Sequence, residues 1–393
     1  MDFEVTVVGA GVVGSFLACL LAQNGISVCL LDRRNTFNTS ISSRYQGRTF
    51  AINLSSINLL KKLELWSIIK KEGTPFNRIY VWDSKGTTPL EFLAEEIDQE
   101  ELGYVFSTNS ILTSLNKILR SSKKISLELN KELSSIQVKE KLATISFADG
   151  KSISSRLLVG ADGINSTLRK LANIKTRTWS YNQIAYFALL KTEKFHSNTA
   201  WQTFTPTGPI AFLPFDIKGK PNISLVWSAE KTFASKLQLL QDKEFINKLE
   251  EETEFILGKI TLEDKIQSFP LNQLHAKSYF SNRVVLVGDA AHSLHPLAGQ
   301  GLNLGLADVM SLSDKIIKAR RKGKDFGSKE ILLNYERSRK NHNLSMTALM
   351  EVFKHGFENS SPWLNISRNL AFKIASENKW LKKRFIRKAA GIM

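Results

Sequence analysis

The sequence predicts an α/β fold with a Rossmann-like dinucleotide-binding domain, a second domain built on an antiparallel sheet, and helices at the C-terminus. Three observations predict it. A glycine-rich turn lies between two strand-like runs at the N-terminus, short strand-like runs and one helix pattern at 236–257 occupy residues 181–275, and long helical patterns follow residue 304. With 393 residues, the chain has room for two to three domains.

The N-terminal turn predicts a nucleotide site. Residues 3–8 are strand-like, the motif GAGVVG follows at 9–14, and a helix pattern covers 15–24. A second strand-like run, 27–31, ends at Asp32. In this βαβ context the glycines admit a pyrophosphate and the acid accepts ribose hydroxyls, although the motif fits FAD and NAD alike. The candidate residues are Gly9, Gly11, Val12, Val13, Gly14, Asp32 and Arg33.

A second ligand-binding stretch runs from 283 to 308. The apolar residues 284–287 indicate a buried strand, and Asp289 lies just past its end, where open α/β sheets bind ligands. A loop with three glycine or proline positions then leads into a helix that is predicted from about Leu302. Backbone N–H groups at a helix N-terminus attract anions, and glycines let a flat ring approach the backbone. The candidate residues are Asp289, Pro296, Gly299, Gln300, Gly301, Leu302 and Asn303.

The segment HPLAGQGLNLGLAD, residues 295–308, resembles the signature of the UbiH/UbiF-type flavin hydroxylases of ubiquinone biosynthesis. These belong to the aromatic-ring hydroxylases of the p-hydroxybenzoate hydroxylase type. Three further segments are similar to the family: one around Arg48, ADGINSTLR at 161–169 and AWQTFTPTGPIAFLPF at 200–215. The sequence departs from the family at Gln46 and Thr108, where the family usually has Asp and Glu.

The resemblance implies roles for particular residues. It implies that Asp289 hydrogen-bonds the ribityl chain of FAD and that the backbone around Gly301, Leu302 and Asn303 meets the flavin ring. It also implies that Arg48 lies near the flavin, and that the segment with Asp162 serves both FAD and the reduced nicotinamide. Ser166 and Arg169 also fit a simpler interpretation, in which the serine caps a short helix.

The function implied by the resemblance is that of an FAD-dependent monooxygenase. NAD(P)H reduces the FAD, O2 forms a C4a-hydroperoxide on it, and an oxygen atom passes to the aromatic ring of a polyprenylated phenol. The sequence identifies no catalytic base. Two other functions stay open: a non-catalytic FAD-bearing scaffold of a ubiquinone-synthesis complex, which Gln46 and Thr108 motivate, and an FAD-linked reductase that uses no O2. Other ubiquinone-biosynthesis proteins are candidate partners.

The domain boundaries follow from the changes in pattern along the chain. The chain is expected to leave the first domain and return to it. The expected FAD-binding domain comprises residues 1–75, 100–178 and 276–345, the substrate domain residues 76–99 and 179–275, and the C-terminal helical segment residues 346–393.

Composition excludes some classes of function. The net charge is +17, from 54 basic and 37 acidic side chains, which suits nucleic acid or an anionic membrane surface. No zinc-finger spacing or RNP-like aromatic string occurs, so no nucleic-acid partner is expected. His292 and His295 lack a third ligand, so no metal is expected. With Cys19 and Cys29 as its two cysteines, the chain suits a reducing cytoplasm.

The C-terminal segment predicts a further surface. Residues 364–393 carry eight basic residues and one acid. Leu370, Ile374, Leu381 and Phe385 share one helical face, with Trp380 at its edge. The pattern favours a peripheral position on the inner face of the membrane, with a helix docked on the FAD domain as the alternative.

Overall fold

The structure, a computed structural model, describes residues 1–35, 48–86, 88–217, 219–220, 222–293, 300–358 and 378–391. Its strands, in chain order, are β1 Phe3–Val8, β2 Val28–Asp32, β3 Thr49–Asn53, β4 Thr74–Phe76, β5 Arg78–Asp83, β6 Leu90–Leu93, β7 Gly103–Ser107, β8 Ile125–Leu129, β9 Leu133–Val138, β10 Ala143–Phe147, β11 Ser152–Gly160, β12 Thr176–Thr192, β13 Thr199–Thr205, β14 Gly208–Pro214, β15 Ile223–Glu230, β16 Ile260–Leu262, β17 Gln267–Ala276, β18 Phe280–Ser281, β19 Val284–Leu286 and β20 His292–Ser293.

The helices connect these strands and follow them at the C-terminal end. They are α1 Val12–Gln23, α2 Leu54–Lys62, α3 Trp66–Ile69, α4 Thr108–Ser121, α5 Thr167–Leu171, α6 Lys231–Leu237, α7 Asp242–Glu252, α8 Gln300–Arg321, α9 Lys329–Glu358 and α10 Lys379–Ala389. Short 3₁₀ turns cover Lys70–Glu72, Ala94–Ile97 and Gly288–Ala290.

A parallel sheet forms the centre of the first domain. Its strands β19, β11, β1, β2 and β8 lie side by side in that order, and each pair is parallel. The strands are short apolar runs rather than alternating ones, because parallel strands are covered on both faces. Helices α1, α4 and α8 pack against one another beside them. The carboxyl ends of β1, β2, β11 and β19 therefore meet at one edge, where the predicted ligand residues follow.

A mainly antiparallel sheet forms the second layer. Its order is β20-β17-β12-β15-β14-β13-β5-β6, with β16 beside β12. One face carries Tyr186, Leu190 and Trp227, which pack with residues of α6 and α7 in a buried cluster. The other face, which we call the inner face, carries Phe187 and Val226, which pair across β12 and β15. Together the two sheets confirm the predicted α/β fold with a Rossmann-like domain and an antiparallel second domain.

A small sheet joins these two layers. Strands β3, β7 and β4 pair antiparallel in the order β3-β7-β4. The hydroxyl groups of Thr49 on β3 and Ser224 on β15 lie 2.6 Å apart and are buried. The start of β3 is therefore anchored to the inner face of the second sheet, and Arg48 immediately precedes this anchor.

The C-terminal helix docks on the protein, and Ala390 at its end accepts a hydrogen bond from the N–H of Ser55 in α2 at 3.3 Å, so that it meets the expected FAD-binding domain as well as the second layer. Helix α10 packs against the Ala94–Ile97 turn and β6. Its residue Ile386 is buried with Phe215 of the second layer, and Lys382 forms an ion pair with Glu96 at 2.6 Å. The predicted apolar face differs from this docking face, since Phe385 is exposed and Ile386 faces inward. Leu370 and Ile374 lie outside the described residues.

Two other predicted boundaries differ from the structure. The helix expected over residues 236–257 is shorter, because α7 covers only Asp242–Glu252, and residues 236–237 are the end of α6, with an exposed turn at Leu239 between the two helices. Strand β12 runs through the domain boundary that was placed between 178 and 179, because its first half pairs with β17 as its second half does. The division into domains otherwise stays a prediction. None of the helices within the described ranges is both long and apolar enough to cross a bilayer.

The glycines of the β1–α1 turn generate the first prediction. A Cβ at Gly14 would lie 1.9 Å from the carbonyl oxygen of Gly9, whereas a Cβ at Gly11 would meet nothing within 4 Å. Gly14→Ala should therefore destabilise the apoprotein by about 1–3 kcal/mol or more, as overpacking does, while Gly11→Ala should leave it nearly unchanged. Thermal or urea unfolding of the two variants checks this, and equal losses of stability would show that the turn relaxes at both positions.

Candidate functional site

The β1–α1 turn leaves open space at the N-terminus of α1. Gly9 has φ +108° and lies against the carbonyl oxygen of Ala161, where a Cβ would come within 2.4 Å. Gly11 caps α1 without a side chain of its own, and the space beside it is empty of protein. Exposed N–H groups and a free approach at a helix N-terminus suit a pyrophosphate.

Asp32 closes this turn from the neighbouring strand. One carboxylate oxygen accepts a hydrogen bond from the Ala10 N–H at 2.8 Å, and the other accepts one from the Arg34 N–H at 2.8 Å. A carboxylate has lone pairs beyond these two bonds. Asp32 is thus held at the end of β2 with capacity for ribose hydroxyls, while Arg33 is exposed beside it.

Asp162 follows β11 at the same edge of the sheet. Its Oδ2 accepts hydrogen bonds from the N–H groups of Thr167 and Leu168 at 2.7 and 3.1 Å. Its Oδ1 is buried and has no hydrogen-bond partner within the described part of the chain. A buried acceptor without a donor is rare in folded proteins, and a sugar hydroxyl of a ligand at this edge would supply the donor.

Arg169 ties this segment to the turn after β19. Its guanidinium donates from Nη1 to the carbonyl oxygen of Ala290 at 2.8 Å and from Nη2 to that of Ile164 at 2.7 Å. Burial lowers the pKa of Arg169, and Asp162 opposes that effect. The simpler interpretation is also correct as local structure, because the Ser166 hydroxyl accepts the Arg169 N–H at 3.0 Å. Sequence patterns did not identify the link to Ala290.

Asp289 projects from the Gly288–Ala290 turn into open space. Its side chain is exposed, although it lies deep within the fold, and the surrounding protein raises its pKa by desolvation. The charges of His292 and Arg48 oppose this rise, while Asp308 adds to it. Across the described ranges, no donor is bonded to the Asp289 carboxylate. A cofactor with hydroxyl groups would find an unused acceptor here.

Arg48 lies between Asp289 and the second sheet. Its guanidinium carbon is 3.8 Å from the ring centroid of Phe269 and 5.1 Å from that of Phe187. Burial lowers the pKa of Arg48, and the charge of Asp289 opposes that shift. Thr108, which replaces the family's usual Glu, holds the Arg48 carbonyl oxygen with its hydroxyl at 2.7 Å. Arg48 remains exposed, yet its stacked guanidinium faces the space between the two layers.

The first turn of α8 is the last part of the candidate site at this edge of the parallel sheet. A Cβ at Gly301 would meet nothing within 4 Å, so a planar group has access to this backbone. The side chain of Asn303 is already committed, since it accepts from the Asn53 N–H at 3.1 Å and the Ser56 hydroxyl at 2.8 Å and donates to the Ala51 carbonyl at 2.8 Å. The side chain of Asn303 therefore holds α8 to the segment at Ala51–Ser56.

The structure therefore brings most of the predicted residues to one edge of the parallel sheet. Val12 and Leu302 are buried there, and Val13 packs on Gly288 and Gly305. Pro296, Gly299 and the side chain of Gln300 lie outside the described residues. The open space beside Gly11 and Gly301 and the unpaired Oδ1 of Asp162 fit an extended dinucleotide. Within the described ranges no group of three or more His, Cys, Asp or Glu side chains is arranged to hold a metal. The individual contacts to FAD stay predictions.

Comparison with known proteins points to the same cofactor. Residues 2–349 match the family described as FAD binding domain. The chain is 33% identical to the 3-demethoxyubiquinol 3-hydroxylase of Escherichia coli K12 over 391 residues, which cover 99% of this chain and 98% of the relative. It is also 33% identical to the ubiquinone hydroxylase UbiL of Rhodospirillum rubrum, over 99% of this chain and 90% of the relative.

A solved structure supports the fold. The p-nitrophenol 4-monooxygenase PnpA of Pseudomonas putida superimposes with a TM-score of 0.80 at 19% identity, covering 98% of this chain and 97% of that protein. Identity this low supports the fold alone.

Asp289 generates a prediction about affinity and pH. Asp289→Ala should raise the Kd for FAD about tenfold or more, because a hydrogen bond to a charged acceptor contributes about 1.5–3 kcal/mol. The pKa of this carboxyl is raised in the apoprotein, and hydroxyl donors bind its ionised form. FAD affinity should therefore fall as the pH falls through that raised pKa, above the ordinary value of about 3.9.

Fluorescence titration of FAD between pH 8 and pH 5 measures both effects. Asp289→Asn is the matched control, since an amide of the same shape cannot ionise and its Kd should not follow this titration. A wild-type Kd in the Asp289→Ala protein would show that the carboxylate does not face the cofactor.

Proposed function

Because the chain belongs to the FAD binding domain family of flavoprotein monooxygenases, we propose that it hydroxylates the aromatic ring of a polyprenylated phenol in ubiquinone biosynthesis. NAD(P)H is the electron donor and O2 the source of the oxygen atom. The observation that carries the proposal is the position of Arg48 and Asp289 opposite an apolar sheet face, in a chain that is similar over nearly its whole length to ubiquinone hydroxylases. When bound, FAD supplies the redox and oxygen-activating chemistry.

The edge of the parallel sheet holds the cofactor in this proposal. The β1–α1 turn at Gly9, Gly11, Val12, Val13 and Gly14 receives the pyrophosphate, and Asp32 accepts the adenosine ribose hydroxyls. Asp162 lies along the same path. Asp289 accepts ribityl hydroxyls, and the backbone from Gly301 to Asn303 donates toward the flavin ring, where negative charge develops on reduction. These residues bind and orient the cofactor, while the second sheet excludes water from its reacting edge.

The inner face of the second sheet supports an apolar aromatic substrate. Phe187 of β12 pairs with Val226 of β15, which pairs in turn with Ala211 of β14. In β17, Phe269 pairs with Ala185. The stacking of Arg48 on Phe187 and Phe269 identifies this face as the one turned toward Asp289. Apolar and aromatic walls with few polar groups are typical of pockets for apolar ligands.

We propose that the reduced nicotinamide binds only transiently. The sequence has one complete βαβ dinucleotide motif, at residues 3–32, and FAD occupies it in this proposal. NAD(P)H then meets the flavin beside the segment with Asp162, as the family resemblance implies. No separate resident site is needed, since the donor leaves after it reduces the cofactor.

An isotope experiment tests the activity. Purified protein with FAD, NAD(P)H and a short-chain prenylated phenol should consume NAD(P)H and O2 faster than without the phenol, and the product should carry one ¹⁸O atom from ¹⁸O2. Phenol-stimulated NAD(P)H oxidation without ¹⁸O in the product would mean an FAD-linked reductase. FAD binding with no stimulated consumption of either would mean a non-catalytic scaffold subunit.

We propose that the outward face of α10 contacts an anionic membrane surface, from which the substrate is collected. The exposed side chains on this face are Trp380, Arg384, Phe385 and Arg387. Trp380 is 68% exposed, and the Arg384 guanidinium carbon lies 5.5 Å from its ring centroid. Tryptophan suits the interface, and each basic residue contributes about 1 kcal/mol near anionic lipid.

Vesicle sedimentation checks the membrane contact. Full-length protein should bind vesicles that contain anionic phospholipid at low salt, and high salt or neutral vesicles should release it, because the attraction is partly electrostatic. Trp380→Ala combined with Arg384→Ala and Arg387→Ala should abolish binding. The matched control is Arg177→Ala with Trp179→Ala, which removes an exposed basic and aromatic pair from β12. Equal binding by both variants would rule out α10 as the contact.

A further inference from the structure

A buried set of side chains supports the turn that carries Asp289. Asp308 of α8 accepts the Gly288 N–H at 3.0 Å through Oδ2, and the same oxygen lies 2.6 Å from Nε2 of His292. Both ends of the segment from Gly288 to His292 are thus bonded to one oxygen atom. Asp308 is fully buried and His292 nearly so. The position of Asp289, between these two attachment points, depends directly on Asp308.

A second helix holds the other oxygen of Asp308. Arg339 of α9 donates from Nε to Oδ1 of Asp308 at 2.7 Å, and Nδ2 of Asn343 lies 3.3 Å from the same oxygen. Arg339 also donates to Asn343 Oδ1 at 3.0 Å. Nδ2 of Asn343 also donates a hydrogen bond to the hydroxyl oxygen of Tyr279 at 3.2 Å. Helix α9 is thereby fixed to α8 directly below the turn.

The negative charge of Asp308 has a partner within the protein. Burial alone would raise the pKa of Asp308, but His292 and Arg339 more than offset it and lower the pKa to about 2. Asp308 is therefore ionised at neutral pH, and its charge is matched by Arg339. The charges of Asp308 and His292 also act on Asp289, in opposite directions. A change in either one alters the electrostatic potential at the Asp289 carboxylate.

We propose that Asp308, His292 and Arg339 are positioning residues for the cofactor: they fix the Gly288–Ala290 turn so that Asp289 stays directed at the ribityl chain, and the paired charges of Asp308 and Arg339 set the preference of the site for oxidised or reduced FAD. The proposal rests on the proposed placement of FAD at Asp289. None of the three residues needs to touch the cofactor, because a buried charge acts over several ångströms where water is excluded.

Four variants and a control separate positioning from simple stabilisation. Asp308→Asn removes a negative charge and leaves Arg339 unbalanced, while Arg339→Gln removes a positive charge and leaves Asp308 unbalanced. His292→Gln keeps a donor for Asp308, and His292→Leu does not. The matched control is Ser311→Ala, which breaks the exposed contact of 2.9 Å between Ser311 of α8 and Ser338 of α9 and touches neither the turn nor the buried set.

Three measurements are made on each full-length protein: apoprotein unfolding, the Kd for oxidised FAD, and the midpoint potential of the bound flavin. Reduced flavin is anionic, so Asp308→Asn should raise the potential and Arg339→Gln should lower it. His292→Leu should weaken oxidised FAD about fivefold or more, and His292→Gln should restore part of that loss. Ser311→Ala should match the wild type in Kd and potential.

A purely structural role gives a different result. Loss of apoprotein stability with an unchanged potential, or a shift of the same sign in Asp308→Asn and Arg339→Gln, would overturn the proposal. If a charge variant fails to fold, the Kd values of the two His292 variants still test whether these residues position Asp289, since both variants keep the Asp308–Arg339 pair. An Asp289→Ala protein with wild-type FAD affinity would instead overturn the placement of FAD. If Asp289→Ala weakens FAD binding while both His292 variants bind FAD as the wild type does, the positioning proposal alone is overturned.

Discussion

Close backbone contact between α1, the Gly288–Ala290 turn and α8 is the constraint on which the candidate site depends. The side chain of Val13 fills the space between Gly288 and Gly305, so that a Cβ at Gly305 would lie 2.9 Å from Val13 Cγ2 and 3.3 Å from the Gly288 Cα. Close-packed interiors transmit displacement rather than absorb it. The β1–α1 turn, the turn with Asp289 and the start of α8 therefore keep a fixed relation to one another, although they are far apart in sequence.

Charged side chains in this region fall into two groups with different consequences. Arg169 and Asp308 are buried, and their hydrogen bonds run to protein partners, because a buried charge without partners is costly. Asp289 is exposed and has no donor within the described part of the chain. Arg48 is also exposed and has aromatic partners instead of a carboxylate. The first group makes the framework rigid, and the second group is left to act on a ligand.

The two faces of the antiparallel sheet contribute to different properties of the protein. Tyr186 and Trp227 on one face are sealed by α6 and α7, so that face contributes to stability. On the inner face, Phe187 and Phe269 are only partly buried and meet Arg48. Helix α10 covers another part of the second layer through Ile386. The sheet can thus contribute apolar surface to a site without losing its own core, because α6 and α7 already shield one side.

The sequence by itself determined the α/β class, the βαβ turn at Gly9–Gly14, the acid at the end of β2 and the family signature that leads into α8. These follow from local rules, since glycine spacing, apolar runs and short motifs act within about thirty residues. It did not determine that α6 ends before α7 begins, since the turn between them carries an apolar residue, Leu239, which the structure leaves exposed. Nor did it identify the hydrogen bonds by which the side chains of Arg169, Asn303 and Arg339 hold distant segments together.

Only the tertiary structure decided how distant segments meet. Arg169 reaches Ala290 across 121 positions, Asn303 reaches Ala51 across 252, and no local periodicity contains such pairs. The docking of α10 was also decided by the tertiary structure. The sequence showed that this helix is basic and aromatic, but which of its faces is buried depends on which surface has room for Ile386. Composition and motif spacing specify which groups a chain carries, whereas the close packing of particular backbones decides which of them face one another.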